Sequence, residues 1–204
     1  MSRIRQRAVR GERLPGDEFV AKSRFHDHQL KCDVIKIMPG EFYVASGHIA
    51  LATVLGSCVA ACVWDPITQI GGMNHFMLAN AAGHLDGRAD SMRYGAFAME
   101  TLIRHVLAAG ALSHSLQAKV FGGGQVLRGF TSSDVGMRNA EFVLDYLADQ
   151  EIPVTGQDLG DVYPRKIYFF PDTGKVLMRR LPVNESTSVL IEEQQYRQRI
   201  AREA

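Results

Sequence analysis

Thr53 to Leu78 reads TVLGSCVAACVWDPITQIGGMNHFML, and the way this stretch is punctuated decides the fold around it. Two short apolar runs, Cys58 to Trp64 and Met73 to Leu78, flank Asp65 Pro66 Ile67 Thr68, a turn sequence with proline at its second position. The stretch therefore predicts a β-hairpin. Counting inward from Cys58 and His75 places the midpoint between Pro66 and Ile67, so simple register sets the two residues directly opposite, with Cβ atoms roughly 4.5 to 5.5 Å apart. In the same register Cys62 faces Gly71.

A thiol and an imidazole at that range share a proton. An imidazolium beside a thiolate brings a cysteine pKa from about 8.5 into the range of roughly 3.5 to 7.5, which makes a nucleophile at neutral pH. Gly56, two residues before Cys58, lets the backbone turn sharply and leaves room for a substrate, and the N–H groups of Ser57 and Cys58 are candidate oxyanion donors. Spacing alone leaves a second reading open, because free cysteine behaves as a small hydrophobe and a histidine in an apolar strand is often a satisfied core residue. A metal site from Cys58, Cys62, His75 and His84 is disfavoured by the C-x3-C spacing and by the lack of a second Cys or His pair.

On the N-terminal side, Val34 to Met38, Glu41 to Ala45 and Ile49 to Leu55 read as strands separated by Pro39 Gly40 and Ser46 Gly47. On the C-terminal side, helical spacing appears over Ser91 to Ala109, where Met92, Met99, Leu102, Ile103, Val106 and Leu107 share a face that stops at Gly110. A second helix fits Ser133 to Asp149, with Ser133 or Asp134 as N-cap and Phe142, Val143, Tyr146 and Leu147 buried. Ala118 to Phe121 is a short strand running into Gly122 Gly123 Gly124, a glycine run without the Lys-Ser/Thr pair of a phosphate loop, which reads as a close backbone approach beside the site. Ile152 to Thr155 adds a strand. Lys166 to Phe170, Pro171 to Gly174 and Lys175 to Leu181 form a second hairpin. Strands and helices mix without strict alternation, so the expected class is α+β: mixed β-sheet layers with two main helices packed on them, in one domain.

The chain divides into a basic arm over 1–30 carrying Arg3, Arg5, Arg7, Arg10 and Arg13, a domain over 31–182, and a polar tail over 183–204 expected as an appended helix or a disordered segment. At 204 residues and 46% apolar composition there is enough apolar surface for a core, which excludes disorder, collagen and coiled coil as readings of the whole chain. With 23 Lys and Arg against 22 Asp and Glu, no global field draws the protein to nucleic acid or an anionic membrane, so partners must be recognised locally. Three cysteines are too few for a disulfide scaffold, and there is no apolar run long enough for a membrane span or signal peptide, so the expected compartment is the cytoplasm.

Thr53 to Ala60, Asp65 Pro66 and Gly71 to Leu78 closely resemble the signature of CheD, the chemoreceptor glutamine deamidase family of bacterial and archaeal chemotaxis. Lys119 to Gly124, Gly136 to Asn139, Asp158 to Gly160, Arg165 Lys166 and Thr173 to Lys175 match in order, so the resemblance covers roughly residues 34 to 181. It implies a Cys-His-Thr triad carried over onto Cys58, His75 and Thr53, the threonine accepting the imidazole N–H and holding the productive tautomer. It implies hydrolysis of glutamine side-chain amides on methyl-accepting chemotaxis receptors, with no cofactor or metal. In some members the phosphatase CheC is a further partner. The alternatives are a non-catalytic receptor- or CheC-binding module, or another thiol amidohydrolase or transglutaminase. Arg138 and Asn139 are candidates to brace the glycine loop, with a solvated helix face as the alternative.

Overall fold

The computed structural model describes residues 14–78, 85–126, 134–182, 191–196 and 198. The arginines expected in the basic arm, together with His84 and Ser133, lie outside these residues. The elements in chain order are β1 (Ser23–Asp27), β2 (Cys32–Lys36), β3 (Phe42–Ser46), β4 (Ile49–Leu55), β5 (Val59–Asp65), β6 (Ile70–Asn74), α1 (Leu85–Ala108), β7 (Gln117–Gly122), α2 (Asp134–Asp149), β8 (Val154–Leu159), β9 (Arg165–Phe170) and β10 (Lys175–Arg180). A short helical segment covers 191–196. One sheet has the order β1-β2-β4-β9-β10 and the other β3-β6-β5-β7-β8. Both are mixed, with β2 parallel to β4 and β7 parallel to β8 among otherwise antiparallel pairs.

Side-chain alternation along the two central strands shows how the layers stack. On β5, Ala60, Cys62 and Trp64 pack with Leu51 and Leu55 of β4 and Ile167 and Phe169 of β9 in a core between the sheets. The intervening Val59, Ala61 and Val63 pack with Met99, Leu102 and Val106 of α1 and Val143 and Leu147 of α2. On β4, Ala50 and Ala52 face outward with Val34 and Phe170. The molecule is thus two face-to-face sheets with both helices on the outside of the second, the expected α+β single domain. Because every residue of β5 is buried, that strand reads as a continuous apolar run rather than an alternating one.

The hairpin register differs from the simple one. Asp65 pairs with Ile70 and Cys62 with Met73, not Gly71, which moves the centre to between Ile67 and Thr68. The cause lies in the turn. Gln69 takes the left-handed conformation at φ 58°, its N–H reaches Asp65 O at 2.9 Å, and the loop becomes four residues long. The Asp65 carboxylate organises it by accepting from Ile67 N at 2.8 Å and Thr68 Oγ1 at 2.6 Å, and ties it to the segment after α1 through Leu112 N at 2.9 Å and Ser115 Oγ at 2.7 Å. Continuing through the Val59–Phe76 bridge, Cys58 and His75 become diagonal rather than opposed. A two-residue slip keeps them on one face, where a one-residue slip would have separated them.

Two further boundaries differ. Ser23–Asp27, inside the expected arm, pairs antiparallel with β2 as an edge strand that is largely exposed, which is why its sequence lacks an apolar signal. Helix α1 begins at Leu85 rather than Ser91, its first turns carrying Asp86, Gly87, Arg88 and Asp90 and hence no apolar period. By contrast β4 spans the expected Ile49–Leu55, and β9 and β10 pair about the expected four-residue turn.

Asp65 is fully buried, so its removal leaves several donors unsatisfied at once. Asp65→Ala is expected to lower unfolding free energy by about 3 kcal/mol, read as a lower urea midpoint with an unchanged denaturant slope.

Candidate active site

Thr53, Cys58 and His75 meet where the chain crosses between the sheets. β4 carries Thr53 in the first sheet; Gly56, Ser57 and Cys58 make the crossing; β5 then runs in the second sheet, and His75 follows β6 beside it. The backbone of His75 is held by Glu41 O, which accepts its N–H at 3.0 Å, and by Gly40 N, which donates to its carbonyl at 2.7 Å. Thr53 Oγ1 donates to Ile37 O at 2.8 Å. Having spent its proton there, it accepts from His75 Nδ1 at 2.8 Å. That pair of bonds places the imidazole proton on Nδ1 and leaves a lone pair on Nε2, which has no hydrogen-bond partner among the described residues. Sγ of Cys58, a ring nitrogen of His75 and a carboxylate oxygen of Glu193 lie within 4.8 Å of one another.

The crossing peptides are oriented from behind. A trans peptide sends its C=O and the next N–H in opposite directions. Gly124 N donates to Gly56 O at 2.7 Å, and Asn139 Nδ2 donates to Ser57 O at 2.7 Å. Both carbonyls therefore point to one side of the loop, toward the glycine run and α2, and the N–H groups of Ser57 and Cys58 point to the other. Gly123 N holds Cys58 O at 2.8 Å. The close approach requires glycine, since a Cβ on Gly122, at φ 110°, would fall 2.1 Å from Cys58 O. Asn139 is fully buried and also accepts from Leu78 N at 2.8 Å, so it braces the cysteine loop itself rather than forming a solvated helix face. Arg165, also fully buried, ion-pairs with Asp158 and donates to Gly160 O at 2.6 Å and Tyr163 O at 3.2 Å, fixing the loop behind the glycine run.

The N–H groups so presented are occupied. Glu193 Oε1 accepts from Gly56 N at 2.7 Å and Cys58 N at 3.0 Å, and Oε2 accepts from Ser57 N at 2.9 Å and Ser57 Oγ at 2.8 Å. Three consecutive backbone donors converging on one anion are what an oxyanion site provides. With both carboxylate oxygens committed to N–H and O–H donors, the Cys58, His75, Glu193 cluster fits anion binding better than a metal centre. Cys62 is no member of that cluster among the described residues. The sequence reading missed Glu193, which reaches the loop from 135 residues away; its only local signal is the helix-compatible polar run Glu192 to Gln195.

Burial is the main influence on the histidine. It pushes the His75 pKa below its ordinary 6.5, with Lys36 acting the same way and the Glu193 charge opposing. The resting ring is a neutral base rather than the standing imidazolium that a directly opposed pair had suggested. Burial pushes the thiols of Cys62 and Cys32 up, which makes them poor nucleophiles near neutral pH.

Comparison with known proteins agrees on one family. A family model described as CheD chemotactic sensory transduction matches residues 77–180. A probable chemoreceptor glutamine deamidase CheD 1 of Shewanella oneidensis is 50% identical over 181 residues, which is 87% of each chain. A probable chemoreceptor glutamine deamidase CheD of Thiobacillus denitrificans is 49% identical over 90% of this chain and 92% of its own, and one of Bordetella petrii is 51% identical over 84% and 77%. No helix among the described residues is long and apolar enough to cross a membrane.

The lowered His75 pKa carries a sign for stability. Between the folded and unfolded values the unfolded chain binds more protons, so the stability that the neutral ring contributes is complete above about 6.5 and declines as pH falls below it. The urea midpoint of the wild type is expected to drop more steeply from pH 7 to pH 5 than that of His75→Asn; parallel profiles would show that His75 titrates normally.

Proposed function

The chain belongs to the CheD family, and on that premise we propose that it hydrolyses glutamine side-chain amides to glutamate on the cytoplasmic helical bundle of methyl-accepting chemotaxis receptors. The observation that carries this reading is a thiol within 4.8 Å of an imidazole whose Nε2 has no hydrogen-bond partner among the described residues, on a loop of backbone donors whose Gly56 and Ser57 carbonyls are tied down. His75 Nε2 takes the Cys58 proton and the thiolate attacks the amide carbon, while the N–H groups of the Gly56 to Cys58 loop hold the developing oxyanion. The imidazolium then protonates the departing ammonia, leaving a thioester. In the second half His75 Nε2 takes a proton from water, the hydroxide adds to the thioester, and collapse releases glutamate and returns the proton to the thiolate. Thr53 keeps Nδ1–H engaged so that Nε2 remains the working nitrogen throughout.

The chemistry is complete with the chain's own side chains, its backbone and water. Each turnover adds one negative charge to the receptor and creates a carboxylate open to esterification, so the product changes receptor signalling electrostatically. The protein acts in the cytoplasm, where that part of the receptor lies. A CheC phosphatase is a further partner in this reading, competing for the same surface.

Incubation with a receptor cytoplasmic fragment, followed by mapping of amide-to-acid mass gains, tests the assignment. Cys58→Ala is expected to abolish conversion and Cys62→Ala to leave most of it; comparable losses would remove Cys58 as nucleophile. His75→Ala is expected to lower turnover by at least about 10²-fold in a folded protein. Thr53→Val, which removes the acceptor but keeps the shape, is expected to lose less than His75→Ala, and unchanged kinetics would assign the orienting role elsewhere.

A further inference from the structure

Glu193 belongs to a short polar helical segment yet is only 4% exposed. Burying a carboxylate is unfavourable unless it is hydrogen-bonded, and here four donors meet it. Across 191–196, Glu193 and Tyr196 are buried while Ile191, Gln194 and Gln195 are exposed, the i, i+3 pattern of a helix docked by one face. Tyr196 inserts into the core between the sheets, with its hydroxyl 2.7 Å from that of Tyr94, and Lys36 Nζ lies 3.4 Å from Glu192. The fit at the loop is close, since a Cβ on Gly56 would stand 2.9 Å from Glu193 Oε2.

The group held there has a specific chemistry. A glutamate side chain is what glutamine deamidation leaves behind, and it sits against the donors assigned to the oxyanion with an oxygen within reach of the thiol. We propose that segment 191–196 is a product analogue docked in cis: Glu193 occupies the position of the reacting side chain and competes with a helix-borne glutamine of the substrate. The inference rests on the deamidase reading and extends it to how substrate binds. Glutamine enters the donor loop from one face of a helix, and a large apolar or aromatic residue three positions on fills the slot that Tyr196 takes. An acid suits this loop better than an amide, because the Ser57 N–H meets an acceptor in Oε2 but would oppose the NH2 of a carboxamide. The encoded glutamate is therefore the stronger occupant, and substrate binds only the fraction of molecules from which it has withdrawn.

The test uses the full-length chain. In Glu193→Ala, alkylation of Cys58 by iodoacetamide is expected to accelerate at least about tenfold, with Cys32 and Cys62 unchanged as internal references, because the thiol becomes accessible in most molecules. An unchanged rate at Cys58 overturns the proposal. On a receptor fragment, the same variant is expected to lower KM by a similar factor at constant kcat, whereas a merely structural role for Glu193 would lower kcat. Faster alkylation without receptor conversion by any form of the protein would leave the occupant in place and remove the deamidase reading instead. Glu193→Gln supplies the second arm. Residue 193 is expected to gain the mass of an amide-to-acid conversion, held at high effective concentration by its own chain, and the gain is expected to vanish in the Cys58→Ala, Glu193→Gln double variant. A glutamine that persists at 193 in a protein able to convert the receptor would show that the segment does not sit as a substrate sits.

Discussion

Hydrogen bonds from Gly124 and Asn139 to the carbonyls of Gly56 and Ser57 are the constraint on which the rest of the site depends. Peptide planarity converts that capture of carbonyls into presentation of the opposite N–H groups. The arrangement needs a glycine run that lets two backbones touch, a helix that delivers a buried asparagine, and a loop behind them held by the buried Arg165. Each of these lies far along the chain from the cysteine. The donors are thus fixed by the fold before any ligand arrives, which is the condition under which backbone dipoles stabilise developing charge without reorganising.

The second constraint is the passage of the chain from one sheet to the other. Thr53 lies on the first sheet and His75 beside the second, so the bond between them links the two layers across the core as well as choosing the histidine tautomer. Burial in that core lowers the histidine pKa and keeps the ring neutral. A neutral base suits a mechanism in which the proton leaves the thiol only as the substrate carbon is attacked, and it spares the core an unpaired charge at rest.

The same donor loop explains the affinity for Glu193. In the proposed function this loop holds the oxyanion, and donors that do so also favour a carboxylate over an uncharged amide, so strength toward the transition state brings with it strength toward the product. A tail carrying that product group beside an aromatic anchor uses this property. It links the availability of the thiol to the position of a helix at the other end of the sequence.

Much of this was legible in the sequence because it is local. The apolar run Ile49 to Leu55, the Pro171 to Gly174 turn and the spacing of Val143 and Leu147 each act through neighbours a few residues away, and the structure has them where the pattern put them. Cys58 and His75 on one face followed from the parity of the hairpin, which survives a two-residue slip. The slip itself was not legible, since it depends on Gln69 taking a left-handed conformation around a carboxylate that also grips the segment after α1. Nor were the strand order of the two sheets, the carbonyl bond from Asn139 or the docking of Glu193. Those contacts join residues 82 and 135 positions apart. Nothing in the intervening sequence selects them, because closing so long a loop is entropically unfavourable and only the simultaneous packing of both sheets and α2 offsets it.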